Sequence, residues 1–485
     1  MTPALASTAL FTIPLLALAV APRLDALAGV MLGLVTFVAV IIHRFAHRYL
    51  DGQPTAPHFR RWFVAAIAAS SVLVTAGDLR VLALAWTASS LSLHQLLSFF
   101  ADRPQAQIAA HKKFLLSRLA DVVIYSSVFL LGRAFGSYDM ATISAAAVAL
   151  DVLPTSVHVA GYLLVTGVAL RSAQLPFHGW LIQVMEAPTP VSALLHAGVV
   201  NIGGYVLIRL AVLTAAIPGV MNALVIIGAT TAMLAALVMM TRVTVKVALA
   251  WSTAAQMGFM LLECGLGAWE LALLHLVAHS CYKAHAFLGS GGVVAAQVRR
   301  SLIPATPRPT AVRWIGATVG GAAIAAIAVV AAGVAWPASG QDARTWVATT
   351  VLALALAPFL VRVSPAGSWR ANVTLLGSAL VVTALYAAWH LAFTALLPTP
   401  VAFVPGTLSL LIALGAFAAL YIVQVMVSVR PHTRALRTLH TWAFAGFHLD
   451  ELFTRATFFV WPPRHERRQS SPTPTAAVSS TPRAA

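Results

Sequence analysis

Apolar residues run along this chain in long unbroken blocks, not in the narrow stripe of a soluble amphipathic helix. The blocks fall at roughly 8–22, 27–43, 62–77, 79–99, 114–134, 155–171, 188–212, 218–240, 243–263, 268–296, 312–336, 345–364, 373–397 and 403–428. Each approaches the ~20 residues that carry a helix across the hydrocarbon of a bilayer. The pattern predicts an all-α, polytopic membrane protein with about fourteen transmembrane helices. The blocks at 79–99 and 268–296 hold polar residues and are expected inside the bundle. The first block lacks a basic leader and is followed at once by another, so it is expected to be a span, not a cleaved signal.

The loops alternate in charge. Those after even-numbered blocks are basic: Arg44, Arg48, Arg60 and Arg61, then Arg103, Lys112 and Lys113, then Arg299, Arg300, Arg308 and Arg313. Those after odd-numbered blocks are short or carry Asp25, Asp78, Asp139, Asp151, Glu270 and Asp342. Because cytoplasmic loops are enriched in Lys and Arg, the basic loops and both termini are expected on the cytoplasmic side of the inner membrane. Residues 1–428 thus form the transmembrane domain. Residues 431–462 mix apolar and charged positions and read as an amphipathic or docking segment, with Trp442, Phe444, Phe447, Leu449, Leu452 and Phe453 as its apolar surface. Residues 463–485, rich in Pro, Ser, Thr, Ala and Arg, read as a disordered basic tail.

Composition sharpens this picture. The 485 residues are 60% hydrophobic and 9% charged, which excludes a soluble domain. The net charge of +17 is spread over loops and tail, so nucleic acid is not an expected partner, whereas membrane lipid is. Cys264 and Cys281 lie in apolar blocks and indicate neither a disulfide framework nor a cysteine metal site. Only four of the 31 Lys and Arg residues are lysines: Lys112, Lys113, Lys246 and Lys283. A desolvated lysine can give up its proton, which an arginine cannot, so Lys283, the lysine deep in a block, asks for a chemical reason.

Residues 171–209 concentrate polar groups and Pro and Gly breaks in an otherwise apolar stretch. A charge in hydrocarbon costs ~2.5–3.5 kcal/mol on insertion scales and is tolerated where it pairs or lines a water path. Freed carbonyls of a broken helix need such partners too. An ion-handling membrane protein is the first expectation. His275, His279 and Lys283 stand four residues apart, on one helix face at about 6 Å per step. Bridged by water they form a candidate proton relay; buried polar residues bonded to neighbouring helices are the other reading. His178 and His196 flank the break and are titratable, and Lys246 is either a proton intake group or a snorkelling interfacial lysine. Arg118 and Asp121, three apart, read as a mutually neutralised pair. Arg171 is a fixed cation able to hold Glu186 or Asp121 or to attract an anion. No catalytic group and no metal ligand set is evident.

RSAQLPFHGWL followed by PTPVSALLHAG, LAWSTAAQMGFM, and HLVAHSCYKAHAFLGSGGVV resemble the motifs of antiporter-like subunits of respiratory complex I and multisubunit cation/proton antiporters. The resemblance covers about residues 60–297 and, weakly, the tail near Asp450. It implies an antiporter-like fold with two inverted repeats and broken helices. Some positions depart from that pattern. Thr87 follows Trp86 where a glutamate is usual, Arg171 replaces a lysine, Thr244 replaces an acid, and 345–364 has no lysine. The stretch from Trp86 to Asp121 is similar instead to the membrane subunit of DAB-type inorganic-carbon pumps, the DabB branch. That branch implies a soluble, zinc-containing, carbonic-anhydrase-like partner, DabA, on the cytoplasmic face. The chain itself would then carry no cofactor and perform no enzymatic step. It would conduct H+ or Na+ down a gradient that drives CO2 hydration to bicarbonate in the partner. The alternatives are a proton-translocating subunit of a complex I or Mrp-type assembly and a non-conducting membrane anchor.

Overall fold

The computed structural model describes residues 23–100, 103–302, 308–335, 343–363, 368–396 and 403–461. The expected first span and the tail beyond Trp461 lie outside the described residues. Every other expected span coincides with a helix. These are α1 (Ala26–Tyr49), α2 (Ala56–Thr75), α3 (Leu79–Leu97), α4 (Pro104–Phe135), then short α5 (Met140–Ala149), and α6 (Thr155–Arg171). Short α7 (Gly179–Gln183) leads into a helix broken into α8 (Thr189–Ala197) and α9 (Ile202–Arg209), followed by short α10 (Ala211–Ala215). The chain continues through α11 (Pro218–Met239), α12 (Val245–Gly265), α13 (Trp269–Leu288), short α14 (Val293–Ser301), α15 (Ala311–Ala335), α16 (Ala343–Leu360), α17 (Trp369–Leu396) and α18 (Thr407–Val429). Eight of the described helical segments are long and apolar enough to cross a membrane. Several others that occupy expected spans are shorter or more polar, as suits helices lined by protein. The chain is a multi-pass membrane protein.

The acidic loops have a local function. Asp25, Asp78 and Asp139 each cap the helix that follows, accepting from the backbone N–H of Ala28, Arg80 and Thr142. A carboxylate there satisfies an orphan donor and complements the positive end of the helix dipole. The caps of α3 and α5 are also tied to each other, through Leu79 N–H to Tyr138 O and Met140 N–H to Gly77 O, both 2.9 Å. Arg209, at the end of α9, pairs with Asp25. The acidic loops therefore gather on one side of the bundle, as the alternation predicts.

Within the bundle, α11 and α12 pack backbone to backbone. A Cβ on Gly228 would meet the Leu262 nitrogen at 2.5 Å, and one on Gly258 the Ala232 nitrogen at 2.6 Å, so only glycine permits this crossing. The broken helix sits at the centre, with α8 against α13, α1 and α3. Helix α13 is the seam of the molecule: it touches α1, α8, α9 and α12 on one side and α17 on the other. Helices α17 and α18 fully bury few of their residues, only 11% and 6% of their spanning windows.

Candidate functional site

The break between α8 and α9 begins at Gly198 and passes through a 3-10 turn, Val199–Asn201. Asn201 repairs it: its side-chain amide donates to the freed Ala197 carbonyl at 3.2 Å and to Ser280 Oγ on α13 at 2.8 Å. This fixes the broken helix against α13 and places His196, fully buried, beside the polar face of that helix. His196 Nδ1 lies 3.0 Å from Thr253 Oγ1, and its ring stacks on Phe287 at 4.4 Å.

A row of titratable groups continues from there. Lys283 is fully buried, and its Nζ donates to the Leu249 carbonyl of α12 at 2.9 Å. The rings of His275 and His279 are 6.0 Å apart, the one-turn spacing expected. His275 Nδ1 is 2.8 Å from Glu263 Oε2. Both nitrogens of His279, His196 Nε2 and His275 Nε2 are buried without a hydrogen-bond partner. Buried polar atoms are usually satisfied, so four such nitrogens along one seam ask for an explanation. The face predicted from four-residue spacing is thus joined by His196 from the broken helix.

A second cluster lies between α3, α4 and α6. Arg171 pairs with Asp121 and donates to the Trp86 carbonyl at 2.9 Å. Arg118 reaches the other Asp121 oxygen at 2.9 Å. Thr87 Oγ1 donates to Asp121 at 2.9 Å, and Tyr125 Oη lies 2.9 Å from the same hydroxyl. The carboxylate that the antiporter-like pattern carries on α3 is therefore supplied from α4, to the side chain that replaces it. Of the two partners expected for Arg171, Asp121 is the one it takes. Glu186 is exposed at the end of its short helical turn and does not join the cluster.

Lys112 and Lys113 correct the sequence reading. They were expected as loop residues on the basic side, with Lys283 the one lysine deep in a span. Instead α4 begins at Pro104, before the apolar block, and both side chains are buried. Lys113 Nζ donates to Ser90 O at 2.5 Å and Ser90 Oγ at 2.7 Å. Lys112 Nζ pairs with Asp450 at 2.7 Å and Thr454 Oγ1 at 2.6 Å. The tail segment is thus held on the basic-loop side by α19 (Arg434–Phe444) and α20 (Glu451–Val460). Arg242 also donates to the carbonyls of Ala443 and Phe444 at 3.0 and 2.9 Å. Part of the apolar surface expected to face a partner is used internally. Phe447 and Phe453 pack against the core, while Trp442, Phe444 and Phe459 stay exposed. Lys246 is half-buried, its Nζ 3.1 Å from Thr189 Oγ1. His178 lines a cavity of about 380 Å3 with Trp251, Arg242 and Asp450.

Sequence reasoning missed Glu263, Asn201 and Thr253. Glu263 had a signal, an acid inside an apolar block; the partners of the other two depend on which helices meet.

Residues 76–308 match the family model for NADH:quinone oxidoreductase/Mrp antiporter transmembrane regions, and residues 11–63 match that for the N-terminus of complex I chain 5. The probable inorganic carbon transporter subunit DabB2 of Halothiobacillus neapolitanus is 38% identical over 451 residues, covering 92% of this chain and 81% of the relative. The chain belongs to the DabB family. The probable inorganic carbon transporter subunit DabB of Hydrogenovibrio crunogenus is 39% identical over 442 residues, 90% of this chain and 82% of its own. Beyond DabB, NADH-quinone oxidoreductase subunit L of Escherichia coli is 34% identical over 315 residues, and the match spans only 51% of that subunit. A chain of the Mrp complex from Dietzia sp. superposes with a TM-score of 0.53 at 24% identity, covering 93% of this chain and 50% of that one. The chain therefore has the antiporter-like fold.

Proposed function

We propose that the chain is the ion-conducting membrane subunit of an energy-coupled inorganic-carbon pump. The observation that carries this reading is the seam of buried, titratable groups His196, His275, His279 and Lys283, whose histidines keep ring nitrogens without a hydrogen-bond partner, in a chain similar to DabB subunits. A proton moves along such a seam by protonation and release at successive nitrogens, with Lys283 as the switch beside the broken helix. The basic loops support a cytoplasmic location for Lys246, the His178 cavity and both termini of a chain in the inner membrane. A soluble zinc-containing partner related to carbonic anhydrases docks there, on the loops and the exposed aromatic residues of 434–461. CO2 hydration takes place in that partner, and inward cation movement through this chain supplies its direction. Asp121, Arg118 and Arg171 set the field at the α3–α6 contact.

The test is growth. The chain, co-expressed with its genomic partner in a host lacking carbonic anhydrase, rescues growth in air, and a protonophore abolishes the rescue. Rescue by the partner alone would overturn the reading. A complex I or Mrp-type role has the family-model match in its favour. It predicts sodium/proton exchange or quinone-linked pumping and no rescue.

A further inference from the structure

The end of the seam on the acidic-loop side carries an acid, Glu263, that lies outside the quoted antiporter-like motifs. Glu263 lies two residues from the end of α12, 8% exposed, with His275 as its hydrogen-bond partner at 2.8 Å. Behind the pair opens a cavity of about 260 Å3 between α12, α13, α16, α17 and α18. Glu263, His275, Gln256 and Tyr386 bring polar atoms to it, and side chains such as Val351 and Phe417 make the rest of its wall apolar. A carboxylate buried in an apolar wall of a membrane protein is costly and marks function by default. The cavity also answers where an ion enters the seam, a question the histidine row leaves open.

We propose that Glu263 and His275 form a proton-loading site at the outer end of the seam, filled from this cavity; the proposal rests on the reading that the seam conducts. The wall chemistry selects the ion. A hard metal cation needs a cage of several oxygens, whereas one carboxylate facing hydrocarbon and an imidazole suits a proton. A water-borne proton binds the Glu263 carboxylate, giving the neutral acid and leaving a water. The Glu263 O–H then passes its proton to His275 Nδ1, which regenerates the carboxylate and makes an imidazolium. The imidazolium releases its Nε2 proton toward His279, 6.0 Å away ring to ring, through a bridging water. One proton enters and one leaves; His275 is left with its hydrogen on Nδ1, and a ring flip or water-mediated tautomer exchange returns it to Nε2 for the next proton.

Two measurements on the full chain, isolated from its membrane with the subunits that stay bound, test this. Dicyclohexylcarbodiimide adds to protonated carboxylic acids in apolar surroundings, and peptide mass spectrometry locates the adduct. Glu263 is expected to be labelled in the wild type and in Lys283→Ala alike, with no protection by excess sodium. In proteoliposomes under a membrane potential, Glu263→Gln is expected to lower proton flux at least tenfold, with part of it restored in Glu263→Asp. Unlabelled Glu263, sodium protection, or wild-type flux in Glu263→Gln overturns the loading site. A labelled Glu263 in a wild type that conducts no protons supports the site while removing the transport reading, so the two failures are distinct.

Discussion

Asp121 is gripped by two guanidinium groups and a threonine hydroxyl, whereas His279, equally buried, has neither ring nitrogen hydrogen-bonded. Both sit in the apolar interior of one bundle, and both lie next to a side chain of the antiporter-like motifs. In the first, both carboxylate oxygens are held by guanidinium groups. Burial with matched partners fixes charge; burial without them leaves nitrogens free to accept and pass a proton. The comparison separates an electrostatic frame, between α3, α4 and α6, from the seam along α13 that we propose conducts.

The largest effect is expected at the switch of the seam. Lys283→Ala removes the lysine that continues the His275–His279 face and should abolish carbon-dependent growth. Membrane insertion should be unchanged, since losing a buried charge lowers its cost. Wild-type growth of this variant would erase the distinction between seam and frame.

The frame should fail differently. Asp121→Asn leaves Arg171 buried without its counter-charge, a loss of about 3–5 kcal/mol. The amount of folded protein in the membrane should fall before any per-molecule defect appears. Pairing that change with Arg171→Gln should recover part of the protein, because removing both members of a buried pair costs less than removing one. Fluorescence-detected size exclusion of tagged variants reads this directly. Normal accumulation of Asp121→Asn with no transport would move Asp121 into the ion path.

A smaller effect is expected at the tail. Asp450→Asn removes the carboxylate opposite the buried Lys112 ammonium. Residues 434–461 should then become sensitive to protease in inside-out vesicles while the transmembrane helices stay protected. Truncation before His432 should leave an inserted protein that no longer co-purifies with its soluble partner. The smallest effect belongs to Thr87→Val, which deletes one hydrogen bond to Asp121, worth about 1 kcal/mol. A shift of a few degrees in Tm with normal flux is the expected outcome.

Much of this was legible in the amino-acid sequence because hydrocarbon imposes simple rules. Thirteen expected spans from 27–43 onward coincide with helices, since length and apolarity alone define them. The charge alternation predicted which loops share a side, and Asp25 with Arg209, or Gly77 with Met140, meet accordingly. Four-residue spacing placed His275 beside His279. Tertiary chemistry was hidden. Lys112 and Lys113 read as loop residues because α4 extends beyond its apolar block, and Asp450 answers Lys112 from 338 positions away. Glu263 was passed over because its partner His275 lies on the next helix.

The account stands most directly on proton flux per folded molecule, measured side by side in proteoliposomes for His279→Leu and for the Asp121→Asn, Arg171→Gln pair. His279→Leu should insert normally and conduct at least tenfold less than wild type, while the paired variant, corrected for its lower amount, should keep most of its flux. Full conduction by His279→Leu, with silence in the paired variant, would place the moving proton in the frame and contradict the account.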